Sequence, residues 1–508
     1  SYLLMYRKAT LKAFNILGVD LGTSAIPNYQ DFAAKINLRL KKGGNLAFWA
    51  MGGNSNINIM VSEQDSLDTE LYGENTKDQK FRTGMMVGGI TYTKPISESS
   101  FVKSSTSFNL EQQKSNHDTV SRGSLWNNVT LNPYMAYNFN TVRYSNASSL
   151  NKKFNKKNTL KIGWIADLSS FDFIDSVTTN SYRQTYRYRF NVSGSYFMLQ
   201  PYLSWKHKFS DDLVFTAGLT SLYLSVLNSN NSTAVTNYSP LEPRLGIKWS
   251  FNSKSALSLG LGYHSQTQPL YTRYYLLPNE VNSQNESLGL TFSKHLVLGY
   301  SFQINKNFGL KTEAYYQALT GIPIETNSSS FSLINGGSGF ARVFPNNLVN
   351  NGTGYNYGIE LSIQRYFNKN WHALFSGCLY NSRYLPSDGI ERNTSFNGLY
   401  AANFLAGKEF RIGERKILGL GVKLTGAGGK RKGTLDPLAS SQQGEVIFKD
   451  DGFNEEKFKD YFRFDIKTTY KINTEHVTHE IGVDLVNITG AENILNYSYA
   501  PNNDGIDN

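Results

Sequence analysis

Two stretches that alternate aromatic rings with arginine concentrate the chain's capacity for recognition: YRQTYRYRF at 182–190 and PLYTRYYLLP at 269–278. In the first, Tyr182, Arg183, Tyr186 and Arg187 interleave ring faces with guanidinium groups. In the second, Tyr271 and Tyr274 flank Arg273, with His264 and Gln266 just upstream; a third stretch carries Phe340, Arg342 and Phe344. Ring faces stack on planar groups and guanidinium donors bind anions, so this chemistry suits capture of a planar or anionic ligand. The same residues serve as strand continuations and as the interfacial Tyr and Trp of any membrane-spanning sheet.

Catalytic and metal chemistry is harder to assemble. The seven histidines are His117, His207, His264, His295, His372, His476 and His479, and no HExxH is present. On a strand, His476 and His479 fall on opposite faces and make poor co-ligands. The segment GAGGKRKG at 426–433 lacks the glycine spacing of a phosphate loop, and Arg431 stands where Ser or Thr would hold magnesium, so it reads as a flexible outer loop. DGFNEE and NNDGIDN lack the ligand register of a calcium loop. His264-Ser265 sits among strand-like glycines rather than on a strained nucleophile turn. The single cysteine, Cys378, forms no internal disulfide and reads as a small buried or lipid-facing strand residue. No catalytic residue, cofactor or metal is expected. The net charge of +11 is spread along the chain rather than gathered on one motif. That argues against a nucleic-acid partner and for a surface that meets anionic lipid or an anionic ligand.

Strands must position these side chains. Tyr (32), Phe (31) and 43 Gly against 13 Pro favour strands and tight turns. No run of roughly 18 apolar residues exists, which excludes helical membrane spans but not a β-barrel, whose lipid-facing and lumen-facing residues alternate. Alternation is cleanest in YNYGIELSIQ, where Tyr357, Ile359, Leu361 and Ile363 oppose Asn356, Glu360, Ser362 and Gln364. It recurs at 32–39, 295–303 and 461–472. Short polar connections, such as KKGGN at 41–45, FNKKN at 154–158, NKN at 305–307 and FNKN at 367–370, alternate with long ones. The long ones lie near 55–79, 112–141, 173–195, 266–292, 320–353 and 428–459. Short turns on one rim and long loops on the other are the habit of an outer-membrane barrel, here with about 19 strands of about 22 in the complete protein. The expected fold is therefore all-β: a large antiparallel up-and-down transmembrane β-barrel, incomplete in this chain.

The barrel portion of the TonB-dependent receptors common in Bacteroidota resembles this chain almost end to end. The matching segments are AIPNYQDFAAKINL (25–38), EPRLGIKW (242–249), LGLGYHSQTQPLY (259–271), SKHLVLGYSF (293–302) and EAYYQALTGIPIE (313–325). They continue with GTGYNYGIELSIQRYF (352–367), RNTSFNGLYAANFLAGKEF (392–410), DYFRFDIKTTYKIN (460–473) and THEIGVDLVNITGAENIL (478–495). The resemblance implies an outer-membrane receptor that imports a scarce nutrient such as a siderophore, glycan or peptide. Its partners would be outer-membrane lipid, a plug domain of the same protein, the TonB complex and a nutrient ligand, with a surface lipoprotein as a further candidate. Residues 1–508 read as barrel throughout, without a plug, a TonB-contacting segment or a closing strand with a terminal aromatic.

SYLLMYRKATLKAF at 1–14 carries no cleavage site and already reads as a strand, so the chain is expected to be a fragment. Segments 1–14 and 477–489 are then expected as sheet edges. A non-transporting barrel (an adhesin, or a secretion or assembly component) and a passive porin remain alternatives. The lumen discriminates: a porin wants an open charged ring, a plugged barrel a wall of mixed sign. Arg244, Lys248, Lys311 and Arg463 are expected to face inward with Glu242, Glu313, Glu360, Asp465, Glu480 and Asp484.

Overall fold

Alternating side chains require an extended backbone whose amides pair with neighbouring strands, and the computed structural model is built almost wholly that way. It describes residues 1–10, 27–41, 43–63, 76–122, 129–180, 185–229, 231–337, 343–443, 446–499 and 506–507. Among these, 22 strands form one antiparallel sheet. Four of its members are the halves of two interrupted strands (213–220 continued by 223–228, and 231–238 by 242–249), and Arg392–Asn393 is a two-residue rung. Joining the halves and setting the rung aside leaves 19 full strands, as the loop rhythm requires.

The chain divides into two compact units, Ser1–Trp205 with Gly218–Leu241 and Pro269–Ser287, and Lys206–Ala217 with Glu242–Gln268 and Leu288–Asn508. In the first, Tyr2–Thr10, Asn28–Arg39, Asn45–Ile59, Lys77–Ser97, Ser100–Arg122, Val129–Lys153 and Asn158–Asn180 pair in chain order. Thr185–Lys208 pairs with Tyr223–Asn228, which pairs with Asn231–Tyr238. In the second, Glu242–Trp249, Ser255–Gln266, Thr291–Asn305, Phe308–Glu325, Leu348–Asn368, Trp371–Leu385, Tyr400–Ile412, Lys416–Ala427, Tyr461–Asn473 and Thr478–Leu485 do the same. Among the described residues Tyr2–Thr10 pairs only with Asn28–Arg39, and Thr478–Leu485 only with Tyr461–Asn473.

The short turns carry their own chemistry. Asn155 accepts from the amides of Lys157 and Asn158 (2.9 and 2.8 Å), and Asn305 from those of Asn307 and Phe308 (2.9 and 3.2 Å). Both are side-chain mimics of a backbone turn. Lys369 and Asn370 hold φ of 51° and 63°, as the tight two-residue hairpin requires.

Register assigns the faces. Ile359 lies opposite Ala314 and Leu379, and Ile359 and Leu379 are 58% and 68% exposed. Glu360 lies opposite Glu313 and Cys378 on the other face. Cys378 therefore belongs to the polar face, half-buried, rather than to a lipid-facing one. The apolar band on this strand is bounded below by Arg365, whose guanidinium lies 3.6 Å over the Trp371 ring and 5.4 Å from Phe308. It is bounded above by Tyr357, opposite Tyr316. The seven residues between span eight rises, about 26 Å along the strand, or about 20 Å of height at a tilt of about 40°, most of an outer-membrane apolar band.

Two stretches read as long loops are mostly strand. Ser100–Arg122 and Val129–Lys153 account for the described residues of 112–141, and Asn158–Asn180 and Thr185–Lys208 for those of 173–195. Their polar, aromatic composition marks strands that keep pairing beyond the apolar band, where both faces meet polar surroundings.

Candidate functional site

At the long-connection end of the first unit, the segment 269–287 packs against strand faces. Pro269, with φ fixed near −57°, opens a single helical turn, Leu270–Arg273. The turn delivers Tyr274 onto Phe171 (5.5 Å, stacked) and Tyr275 onto Phe190 (5.9 Å). The Leu276 amide donates to the Arg189 carbonyl (2.9 Å), and the Arg187 guanidinium donates to the Leu276 carbonyl (3.3 Å). Beneath this contact Arg189 and Asp175 form a buried pair at 2.7 Å, with Asp175 fully buried. Arg273 is 1% exposed and donates to the Glu286 carbonyl (2.9 Å) and the Asn237 side chain (2.7 Å). Burial lowers the Arg273 pKa and raises those of the Tyr271 and Tyr274 phenols.

In the second unit three connections, 326–347, 386–399 and 428–460, are tied to one another. Buried Arg392 pairs with Asp388 (2.7 Å), and the Asp450 carboxylate accepts from the Ser330 hydroxyl and amide. The Tyr384 hydroxyl donates to the Ser330 carbonyl (2.9 Å), the Ser395 amide to Asn335 (2.8 Å) and the Asn454 side chain to the Asn393 carbonyl (3.0 Å). Burial opposes ionisation of Asp388, but hydrogen bonds from Arg392 and the Ile390 amide outweigh it and lower its pKa.

The segment 426–433 is not a free loop. Its Gly429 amide donates to Asp460 (3.0 Å), and Lys432 reaches the Tyr497 hydroxyl (2.6 Å) and Glu456 (3.3 Å). Hydrogen bonds from Lys457, the Gly429 amide and the Tyr400 hydroxyl pull Asp460 down to about 2. A carboxylate depressed in the folded state contributes stability in full above about pH 4. That contribution is lost as pH falls through about 2. Acidification through that window is expected to expose 428–460 to an acid protease, and Asp460→Asn to remove the pH dependence of cleavage. Equal pH dependence in both proteins would contradict this.

The polar face of the second unit carries mixed charge. Lys248, Ser258, Gly299, Glu313, Glu360 and Cys378 follow one another across the ladder, so they share one face. On that face stand Lys311–Glu313 (3.0 Å), Arg244–Glu242 (3.6 Å), Arg463–Asp465 (2.7 Å), Lys467–Asp484 (3.3 Å) and Lys471–Glu480 (3.4 Å). A neutral patch adjoins them. His264 and His295 meet edge to face at 4.8 Å, and Gln317 bridges Ser293 (2.9 Å) and His295 (3.0 Å).

Of the residues singled out for ligand capture, Tyr182, Arg183, Phe340 and Arg342 lie outside the described residues. Arg187, Arg273 and Tyr274 come together around 269–287, but the structure places Arg273 and Tyr274 in the interior. Tyr186 is 48% exposed on its strand, and Tyr271 is half-buried. His264 and Gln266 stand apart from that cluster, on the strand Ser255–Gln266. Asp175 and Arg189 were not singled out. The Arg-x-Arg spacing of 187 and 189 signals a shared face, but nothing local to Asp175 signals its partner. Among the described residues no group of three His, Cys, Asp or Glu could hold a metal ion.

The fold recurs among solved receptors. BauA, the ferric preacinetobactin receptor from Acinetobacter baumannii, superposes with a TM-score of 0.65 at 12% identity, over 99% of this chain and 73% of that one. Fiu, the ferric-catecholate import receptor from E. coli K12, gives 0.66 at 9% identity over 98% and 74%. The FrpB iron transporter from Neisseria meningitidis gives 0.63 at 12% identity over 90% and 67%. No curated protein matches the chain by sequence. The model of the family described as "TonB dependent receptor-like, beta-barrel" matches residues 19–493. With its strand count, its alternating faces and this match over nearly its whole length, the chain belongs to the TonB-dependent receptor β-barrel family, transport receptors of the bacterial outer membrane rather than enzymes.

Proposed function

We propose that this receptor imports a bulky, scarce nutrient, and that a ferric siderophore complex is the substrate class to test first. The observation that carries the reading is the polar face of the second unit, where five cation–carboxylate pairs alternate in sign and leave most of their charged groups accessible. Such a wall suits docking a folded plug; a passive pore would favour a ring of one sign. The similar solved structures are named as receptors or transporters of iron or ferric chelates, which supports the choice of substrate. Exposed Tyr186 and half-buried Arg187 and Tyr271 would receive a planar anionic chelate. The test is uptake of radioactive iron, presented on a panel of siderophores, by cells whose only receptor is the full-length protein. Accumulation should require TonB and stop with a protonophore. TonB-independent entry, or conductance to small solutes in planar bilayers, would favour a pore.

Arg273 acts in this reading as a positioning residue. Arg273→Ala leaves the Glu286 carbonyl and the Asn237 side chain short of a donor, a local cost of about 1–3 kcal/mol. Ligand binding should weaken and proteolysis within 269–287 should quicken, while membrane insertion is unchanged. A protected loop together with unaltered affinity would remove Arg273 from the recognition surface.

A further inference from the structure

On the apolar face of the first unit, Lys94 is exposed near the short-turn end of Lys77–Ser97, and exposed Ile90 and Met86 follow it, with Leu110, Tyr144 and Leu168 on the neighbouring strands. The eight rises from Lys94 to Met86, on a strand tilted by about 40°, give about 20 Å, most of the height of the lipid-facing band. Four residues beyond Met86, towards the long-connection end, Arg82 lies directly opposite Lys114 in the ladder, and Lys80 follows on the same face. Like charges placed directly opposite each other destabilise a sheet. Nothing nearby relieves this pair. Among the described residues Arg82, Lys114 and Lys80 have no ion-pair partner, and their flanking ladder partners are Asn56 for Arg82, Asn138 for Lys114, and Asn58 and Asn116 for Lys80.

The carboxylates on this face are placed elsewhere. Asp78 is fully buried and holds the Ser62 amide (2.8 Å) and hydroxyl (2.6 Å). Asp118 lies opposite Asp78, beyond Lys80, and Asp172 lies two strands from Lys114. The repulsion is thus built in, exposed, and about 10 Å above the apolar band by strand geometry. Long Arg and Lys side chains at that height reach down to the headgroup layer.

We infer that Arg82, Lys114 and Lys80 form a site for the phosphate of an outer-leaflet lipid headgroup, whose charge offsets a like-charge rung the fold leaves uncompensated. Asn56, Asn116 and Asn138 supply neutral donors around it. The site lies on the apolar face of the first unit.

The test uses the whole receptor in neutral detergent, with binding read by native mass spectrometry. The probes are dioleoyl phosphatidic acid, dioleoylglycerol (the same chains without phosphate) and inorganic phosphate. Phosphatidic acid should bind in preference to both. Arg82→Gln combined with Lys114→Gln should weaken it by about ten- to thirtyfold, with heat-modifiable migration reporting an intact fold. Lys114→Glu provides a second reading of opposite sign: it turns the rung into an attractive pair, so thermal stability in neutral detergent should rise while phosphatidic acid binding falls. Unchanged affinity in the double variant, or equal retention of dioleoylglycerol, would overturn the proposal. Inorganic phosphate binding as tightly as the lipid would overturn the lipid assignment, and a loss of stability in Lys114→Glu would show that the rung is not under strain.

Discussion

Asp175→Ala should destabilise the long-connection end of the first unit by about 3–5 kcal/mol, because it strands a guanidinium in the interior without its counter-charge. Asp175 is fully buried and accepts both Nε and one terminal nitrogen of Arg189, at 3.0 and 2.7 Å. Replacing both partners with apolar residues of similar shape should cost far less, since the pair's attraction does little more than offset its own desolvation. The strand that carries Arg189 also holds the 269–287 segment, through the Arg189 carbonyl and the Arg187 guanidinium. Loss of the carboxylate should therefore appear first as protease cleavage within 269–287, while the strands lower in the sheet keep their heat-modifiable migration. Cleavage at the wild-type rate would show that the pair does not hold the segment.

Leu361→Arg should cost about 2–4 kcal/mol in folding free energy, the penalty for a cation near the middle of the bilayer on a barrel's lipid face. Leu361 lies midway between Tyr357 and Arg365, on the face that presents Ile359. Glu360→Arg places the same charge one residue away but on the polar face, beside Glu313 and Cys378, and should be nearly neutral. Urea titration of the refolded protein in bilayers reads both, and equal costs for the two substitutions would show that the faces are misassigned. The contrast matters because a one-residue slip in register reverses every side chain of a strand.

Faces were legible in the sequence where alternation is unbroken, as at 356–364, though not for Cys378, which pairs with Glu360 on the polar face. Period-2 alternation placed Ile359, Leu361 and Ile363 opposite Glu360 and Ser362, and the ladder agrees at each rung. Short turns were equally clear, because Asn305, Asn155 and the pair Lys369–Asn370 bend the chain through their own side chains and φ angles. The strand count followed from those turns. All of these are local properties: each depends on residues within a few positions of one another.

Burial was not legible in this way. Arg273 and Tyr274 read as exposed recognition chemistry, yet the packing of Phe171 and the reach to Asn237 and Glu286 enclose them. The stretches 112–141 and 173–195 read as loops, yet their described residues pair as strands, because a polar strand above the membrane has the composition of a loop until its partner is known. Bonds that close the outer connections span long separations: 89 residues for Arg187 and Leu276, 120 for Ser330 and Asp450. Alternation decides which side of a sheet a residue takes, through the fixed geometry of the extended backbone. How deep it lies, and which charge it meets, depends on segments brought together only when the whole sheet has formed.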